Sequence, residues 1–281
     1  MKSGDAYGPE WSASLRDGSA DELRGWVDLA LAICDETDVV ALRHFRRDMV
    51  MNQKPDRSWV TEADRAAEQV IRERISAAHP DHGLVGEEYG TEAGSADVRW
   101  YIDPIDGTHN FMRGVPHFAT LIAVERAGEL QAAVISAPAL GERWYGWRGG
   151  GAWSVGAPGT AAPRRLQVSA VAELADAQVV YGSARDLLAS PLVPGFTRWL
   201  DAAWRDRGFG DFWGYTLVAE GAAEAMVEVG LSPWDIAAPM LIVEEAGGRV
   251  TDVEGRRSLE GPGFVTSNGL IHEATLDHLR G

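Results

Sequence analysis

WYIDPIDGTHNF, residues 100–111, ends an apolar strand in an unusual way. Trp100, Tyr101 and Ile102 carry the aromatic and β-branched side chains of a strand. Asp103 and Asp106 follow at once, separated by Pro104 and Ile105, and Gly107 and Thr108 come straight after them. Two carboxylates held that close repel each other and resist leaving water. They must shift their pKa, push the segment into solvent, or hold a cation between them. GTHNF then reads as the start of a short helix, which leaves the backbone N–H groups of Gly107 and Thr108 free to hold phosphate oxygens.

Carboxylates recur elsewhere where local elements end: Asp64 in VTEAD, Glu87 and Glu88 in VGEE, and Asp235 in SPWD. Ser232 suits an N-cap and Pro233 the first helical position, so Asp235 falls at N3, in the helix mouth; Asp64 stands the same way after Thr61. Each alone is explained as a capping carboxylate favoured by the helix dipole. Together with the DPID pair they point to Mg²⁺, because a hard divalent cation takes carboxylate and carbonyl oxygens with water and substrate phosphate, whereas zinc favours His and Cys. Ions held between these carboxylates and a phosphate would activate a water, position the phosphorus for in-line attack and stabilise the leaving alkoxide.

The composition agrees with such a partner and excludes others. The chain has 281 residues, 45% hydrophobic and 24% charged, enough to bury a sizeable core in one large domain or two fused layers. A net charge of −16 argues against nucleic acid and anionic membranes, which need a basic footprint, and leaves a small phosphorylated metabolite whose charge metals offset. No stretch approaches the length of a membrane span, and MKSGDAYGPEWSAS has no apolar signal-peptide core, so a cytoplasmic protein is expected. The single cysteine, Cys34, lies on a helical apolar face and reads as core.

Residues 1–18 read as a loose arm and residues 19–281 as one domain with two halves, 19–175 and 176–281. Ser19 and Glu22 form a capping box, after which Leu23, Trp26, Val27, Ala30, Ile33 and Cys34 recur at helical spacing toward Phe45. A second helix follows the KPDRSW loop, with Ala66, Val70, Ile71 and Ile75 on one face, and HPDHG stops it. LVG, RWYI, FATLIAV, LQAAVISAP and ERWYGW are strands of a largely antiparallel sheet. From Val179 onward strands and helices alternate, so the second half reads as α/β and the whole as a layered sandwich of α+β and α/β character.

GEE, DPIDGTHNF and WDIAAPMLIVEEAGG, with TEAD upstream, resemble the inositol monophosphatase family of Mg²⁺-dependent, lithium-sensitive phosphatases over about residues 22–275. The resemblance implies an αβαβα sandwich of the inositol monophosphatase and fructose-bisphosphatase type, assembled as a homodimer. It implies two or three Mg²⁺ per site, with Glu87, Asp103, the carbonyl of Ile105, Asp106 and Asp235 as ligands. Glu87 and Thr108 would hold the attacking water, Asp64 would polarise Thr108 and help hold a further metal, and Gly107 and Thr108 would bind phosphate. Two departures are visible: His109 stands where the family often has Thr or Lys, and Pro239 falls inside the last helix, where it should kink the axis.

Within the family, GFGDFWGYTLVAEGAAEAMVE is most similar to the branch that hydrolyses histidinol phosphate, and RGVPHFATLIA and SAPALGERWYGWRGGGAW point the same way. Gly210, Asp211, Glu228 and Asp235 would then meet the substrate. Asp211 and Glu228 would reach toward the leaving group, and two carboxylates there suit an amine and an imidazole better than a neutral polyol. By themselves, Asp211 reads as a surface turn residue and Glu228 as an exposed strand position, and Glu228 also suits inositol hydroxyls. Inositol 1-phosphate or a related sugar or nucleotide phosphate is the alternative substrate, and a non-catalytic regulatory partner on the same fold is the alternative of another class.

Other motifs reduce to structure. His79 and His82 in HPDHG lack a further ligand at metal spacing and read as solvated loop residues. Gly149 to Gly151 read as a hairpin turn, Ser183 lacks a nucleophile-elbow setting, and the 11 tryptophans read as core and interface.

Overall fold

The computed structural model describes residues 20–47, 51–53, 59–156 and 162–280. The 1–18 arm, the Ser19 cap and residues 54–58 of the KPDRSW loop lie outside the described residues. In chain order the elements are α1 (Ala20–His44), β1 (Met51–Gln53), β2 (Trp59–Thr61), α2 (Glu62–Ala78), β3 (Gly83–Gly86), β4 (Gly90–Glu92) and β5 (Val98–Asp106). Then come α3 (Thr108–Met112), β6 (Ala119–Arg126), β7 (Glu129–Ala137), β8 (Glu142–Trp147), β9 (Gly151–Gly156), β10 (Arg164–Arg165) and β11 (Gln178–Tyr181). The remainder is α4 (Ala184–Ala189), α5 (Val193–Ala202), β12 (Arg205–Arg207), α6 (Asp211–Ala219), β13 (Ala225–Glu228), α7 (Pro233–Glu245), β14 (Arg249–Asp252), β15 (Phe264–Ser267) and α8 (His272–Arg280).

The larger sheet runs β10-β9-β8-β7-β6-β5-β3-β4 and is antiparallel except where β3 joins β5. Its strands are apolar on both faces because both faces are covered. Along β6, Ile122 and Val124 pack with Trp26, Ile33, Ile71 and Ile75 of α1 and α2, while Leu121 and Ala123 pack with α6 and α7. The smaller sheet, β12-β11-β13-β15-β14, is parallel from β12 to β13 and antiparallel beyond. Its other face is covered by α5 and α8, through Phe196, Trp199, Leu276 and Leu279. Gly195 makes that crossing close, since a β-carbon there would stand 2.0 Å from the Leu279 carbonyl oxygen. The layers are therefore α1/α2, sheet, α6/α7, sheet, α5/α8: an αβαβα sandwich.

Three local expectations change. The inner face of α2 is Ala63, Asp64, Ala67, Glu68, Ile71 and Ile75, and Ala66 and Val70 lie only half-buried on its flank. Two inward-facing carboxylates turn that helix away from the face that its apolar residues mark. β5 does not stop at Ile102 but pairs on to Asp106; three steps from Asp103 to Asp106 match two from Leu121 to Ala119, a bulge that admits Pro104. His79 and His82 are a half-buried stack at 4.4 Å rather than solvated loop residues, and His82 Nδ1 accepts from Trp100 Nε1 at 3.0 Å.

Cys34 is fully buried, and Gly149–Gly150 turn between β8 and β9, where the N–H groups of Gly149 and Gly151 donate to Glu245. Helix α7 continues across Pro239 to Glu245. Among the described residues no helix is long and apolar enough to cross a membrane.

Candidate active site

The bulge at the end of β5 aims its carboxylates into a pocket of about 340 Å³. Asp103 is 2% exposed; its Oδ1 accepts from the N–H of Ile105, and Thr120 Oγ1 donates to the Pro104 carbonyl at 2.9 Å. Asp106 Oδ2 accepts the Phe212 N–H at 2.6 Å, which brings the first turn of α6 against the end of β5. Gly107 takes a φ of 80°, and this left-handed step turns the chain into α3, whose first residue is Thr108. The Thr108 hydroxyl stands 3.0 Å from the Ile105 carbonyl and 3.4 Å from Asp64 Oδ1; its one proton favours the nearer oxygen. Ile105, Gly107 and Thr108 line the pocket, and Asp64 stands behind Thr108.

Two capping boxes deliver two more carboxylates. Thr61 caps α2, and its N–H donates to Asp64 Oδ2 at 2.8 Å; Ser232 caps α7, and its N–H donates to Asp235 Oδ2 at 2.8 Å. Glu87 sits in the turn after β3, its N–H donating to the Ile102 carbonyl at 3.2 Å. That turn is held by Glu68, a buried carboxylate not anticipated from sequence, which accepts from the N–H groups of Glu88 and Tyr89 and from Arg72 Nε. Glu68 follows Asp64 by one helical turn, so the i, i+4 spacing already placed it on the same face.

The electrostatics of the group bear on what it could hold. Burial, then Glu87, Asp106, Asp235 and Asp64, hold the Asp103 carboxyl well above the usual carboxylate range. Burial, then Asp211 and Asp235, do the same to Asp106. Asp235 is pushed up to about 7 and Asp64 to about 6, burial being the main cause in both and the Glu87 charge adding to it. Among the described residues no three such side chains already form a cage around one point. Their mutual repulsion nonetheless shows that they converge, and oxygen donors that resist ionising together suit a hard divalent cation with water and phosphate completing its shell.

Opposite these groups, Glu228 at the end of β13 is 7% exposed, with Tyr215 Oη donating to its Oε2 at 2.7 Å. Burial raises its pKa to about 8. Gly182 leaves room for it: a β-carbon there would stand 2.2 Å from Glu228 Oε1 and displace the carboxylate. Asp211 opens α6, lines the pocket and accepts from Asn110 Nδ2 at 2.8 Å, while Gly210 stands behind the pocket with its carbonyl bonded to His117 Nε2 at 3.0 Å. Asp211 and Glu228 thus line the pocket and are not the surface positions that local pattern alone suggests. Trp59, Ser183 and Asp186 also line the pocket without having been anticipated, and His109 lies at it.

Residues 25–280 match the model of the inositol monophosphatase family. A histidinol-phosphatase of Mycobacterium tuberculosis is 42% identical over 252 residues, covering 89% of this chain and 96% of its own length. One of Chlorobaculum parvum is 43% identical over 247 residues, 87% of this chain and 93% of its own. The crystal structure of the extragenic suppressor protein suhB from Bartonella henselae superposes with a TM-score of 0.83 at 29% identity, over 91% of this chain and 98% of that one.

Proposed function

The chain belongs to the inositol monophosphatase family and is a phosphoric monoester hydrolase, and from that premise we propose that it hydrolyses L-histidinol phosphate to histidinol and phosphate, a step of histidine biosynthesis. The observation that carries this choice is the surplus of carboxylates: Asp211 and Glu228 face the pocket in addition to the group around Asp103. A buried Glu228 with its pKa near 8 is protonated at neutral pH unless a cation stands beside it, and an ammonium or imidazolium supplies one. The relatives named histidinol-phosphatase support the same choice.

Glu87, Asp103, the Ile105 carbonyl, Asp106, Asp235 and Asp64 would hold Mg²⁺, in two or three ions. When bound it supplies charge neutralisation at the phosphate and a more acidic water. The chain's own groups do the rest. Glu87 and the Thr108 hydroxyl would orient the attacking water, and Asp64, 3.4 Å from Thr108, would polarise that hydroxyl once the Ile105 carbonyl is turned to a metal and the Thr108 proton swings to the carboxylate. The N–H groups of Gly107 and Thr108 bind phosphate oxygens, and Asp211 and Glu228 bind the cationic leaving group.

Phosphate release is expected to be fastest with histidinol phosphate in a panel that includes inositol 1-phosphate, fructose 1,6-bisphosphate and adenosine 3′,5′-bisphosphate. A preference for inositol 1-phosphate overturns the substrate and leaves Glu228 as a hydroxyl acceptor. No turnover of any ester favours a regulatory partner on this fold. A homodimer is proposed as well, supported by large apolar side chains left at the surface, among them Trp204 at 66% exposure and Leu188 at 58%. Light scattering at micromolar concentration should give twice the chain mass, and a monomer there removes the proposal.

A further inference from the structure

Asp211 reaches the pocket from a turn in the left-handed backbone conformation. Its φ is 52°, in the left-handed region, which aspartate tolerates better than most residues other than glycine but which is still held most securely when neighbours support it. The residues before it, Gly208-Phe209-Gly210, have little local preference of their own. Three contacts from distant parts of the chain grip the turn. Before it, His117 Nε2 donates to the Gly210 carbonyl at 3.0 Å; a carbonyl only accepts, so Nε2 carries the proton. At it, Asn110 Nδ2 donates to Asp211 Oδ2 at 2.8 Å. After it, the Phe212 N–H donates to Asp106. The His117 ring also packs edge-on against Phe212 and Trp213, each at 5.3 Å between centroids.

We infer that Asn110 and His117 are positioning residues that set substrate selectivity by holding the Asp211 carboxylate in the pocket. The inference rests on the reading that Asp211 faces the leaving group. The chemistry of the two donors fits the task. An amide occupies one lone pair of Oδ2 and leaves the negative charge for a ligand, whereas a lysine or arginine at the same place would neutralise it. His117 Nε2 is engaged by Gly210 and stands 3.8 Å from Asp211 Oδ2, an ion pair only when the ring is protonated, so its neutral form fixes the turn and leaves the carboxylate its charge. Both residues follow Gly107 and Thr108 closely in sequence, so one segment builds the phosphate end of the pocket and holds its leaving-group end.

The test is a double-mutant cycle with Mg²⁺ present, read as kcat/KM for histidinol phosphate divided by that for inositol 1-phosphate. Asn110→Ala should lower this ratio about tenfold, chiefly through KM for histidinol phosphate. Asn110→Ala combined with Asp211→Ala should be no worse than Asp211→Ala alone, because the first residue acts through the second. His117→Ala should lower the ratio and His117→Gln should restore it, since the glutamine amide places a donor where the ring has Nε2; this pair gives the answer even if Asn110→Ala does not fold. Losses that multiply in the cycle overturn the inference. So does an equal loss on both esters with a lower unfolding midpoint, or a His117→Gln variant as poor as His117→Ala. A wild type without preference for histidinol phosphate refutes the substrate assignment instead. The cycle is then read on the ester it does prefer, where merged losses uphold the positioning role and multiplied losses end it.

Discussion

Asp103→Asn should release phosphate at no more than about a hundredth of the wild-type rate with Mg²⁺ present, and excess EDTA should abolish the wild-type activity. Removing one fixed group that stabilises transition-state charge typically costs about 10²–10³ in kcat, and Asp103 is a buried carboxylate that feels Glu87, Asp106, Asp235 and Asp64 together. The substitution keeps the shape of the side chain and an oxygen to accept the Ile105 N–H, so the bulge in β5 should survive. Without metal the same change should stabilise the protein, because it removes a buried charge from among its own kind. The pH dependence has a definite sign. A carboxyl whose folded pKa is raised contributes stability that is fully present below its unfolded pKa, 3.8 for Asp, and is lost as pH rises through the folded value. With Asp64 at about 6, Asp235 at about 7 and Glu228 at about 8, the metal-free protein should lose stability steadily between about pH 4 and pH 8. Thermal unfolding in EDTA measures this, with a shallower fall for Asp103→Asn. Full activity in EDTA would remove the metal from the mechanism altogether.

Much of this site is legible in sequence because its chemistry is local. DPIDGT places two carboxylates, a left-handed glycine and a hydroxyl within one turn, and the caps Thr61 and Ser232 aim Asp64 and Asp235 by helix geometry that depends on few neighbours. Legibility fails where a rule meets the site itself. Counting apolar positions on α2 selects Ala66 and Val70, because the inner face spends two of its places on Asp64 and Glu68. Helix α6 escapes notice because it is sandwiched between two sheets: Phe212, Tyr215, Val218 and Ala219 are buried on one face, Gly214 and Thr216 are buried beside it, and Trp213 and Leu217 cover the remainder, so no polar face gives it a helical period. The turn holding Asp211 is set by Asn110 and His117 across roughly a third of the chain, a relation that no local pattern encodes.

Asp211→Asn should weaken the choice of histidinol phosphate over a neutral phosphate ester by about ten- to hundredfold in kcat/KM. The magnitude follows from the loss of a charge-assisted hydrogen bond, about 1.5–3 kcal/mol. Asparagine is the substitution that isolates charge from shape. It tolerates the left-handed φ of 52° better than most residues, and its amide oxygen can still accept from Asn110 Nδ2. Only the negative charge facing the leaving group disappears. A small neutral ester, hydrolysed with Thr108 and the metal ligands untouched, should change little and so reports whether the site is intact. Equal loss on both esters would mean that Asp211 acts on Asp106 through the adjoining Phe212 N–H and not on the leaving group. In that case the cationic substrate would rest on Glu228 alone, a buried carboxyl that a hydroxyl donor can satisfy as well as an ammonium, and inositol 1-phosphate would become the better assignment.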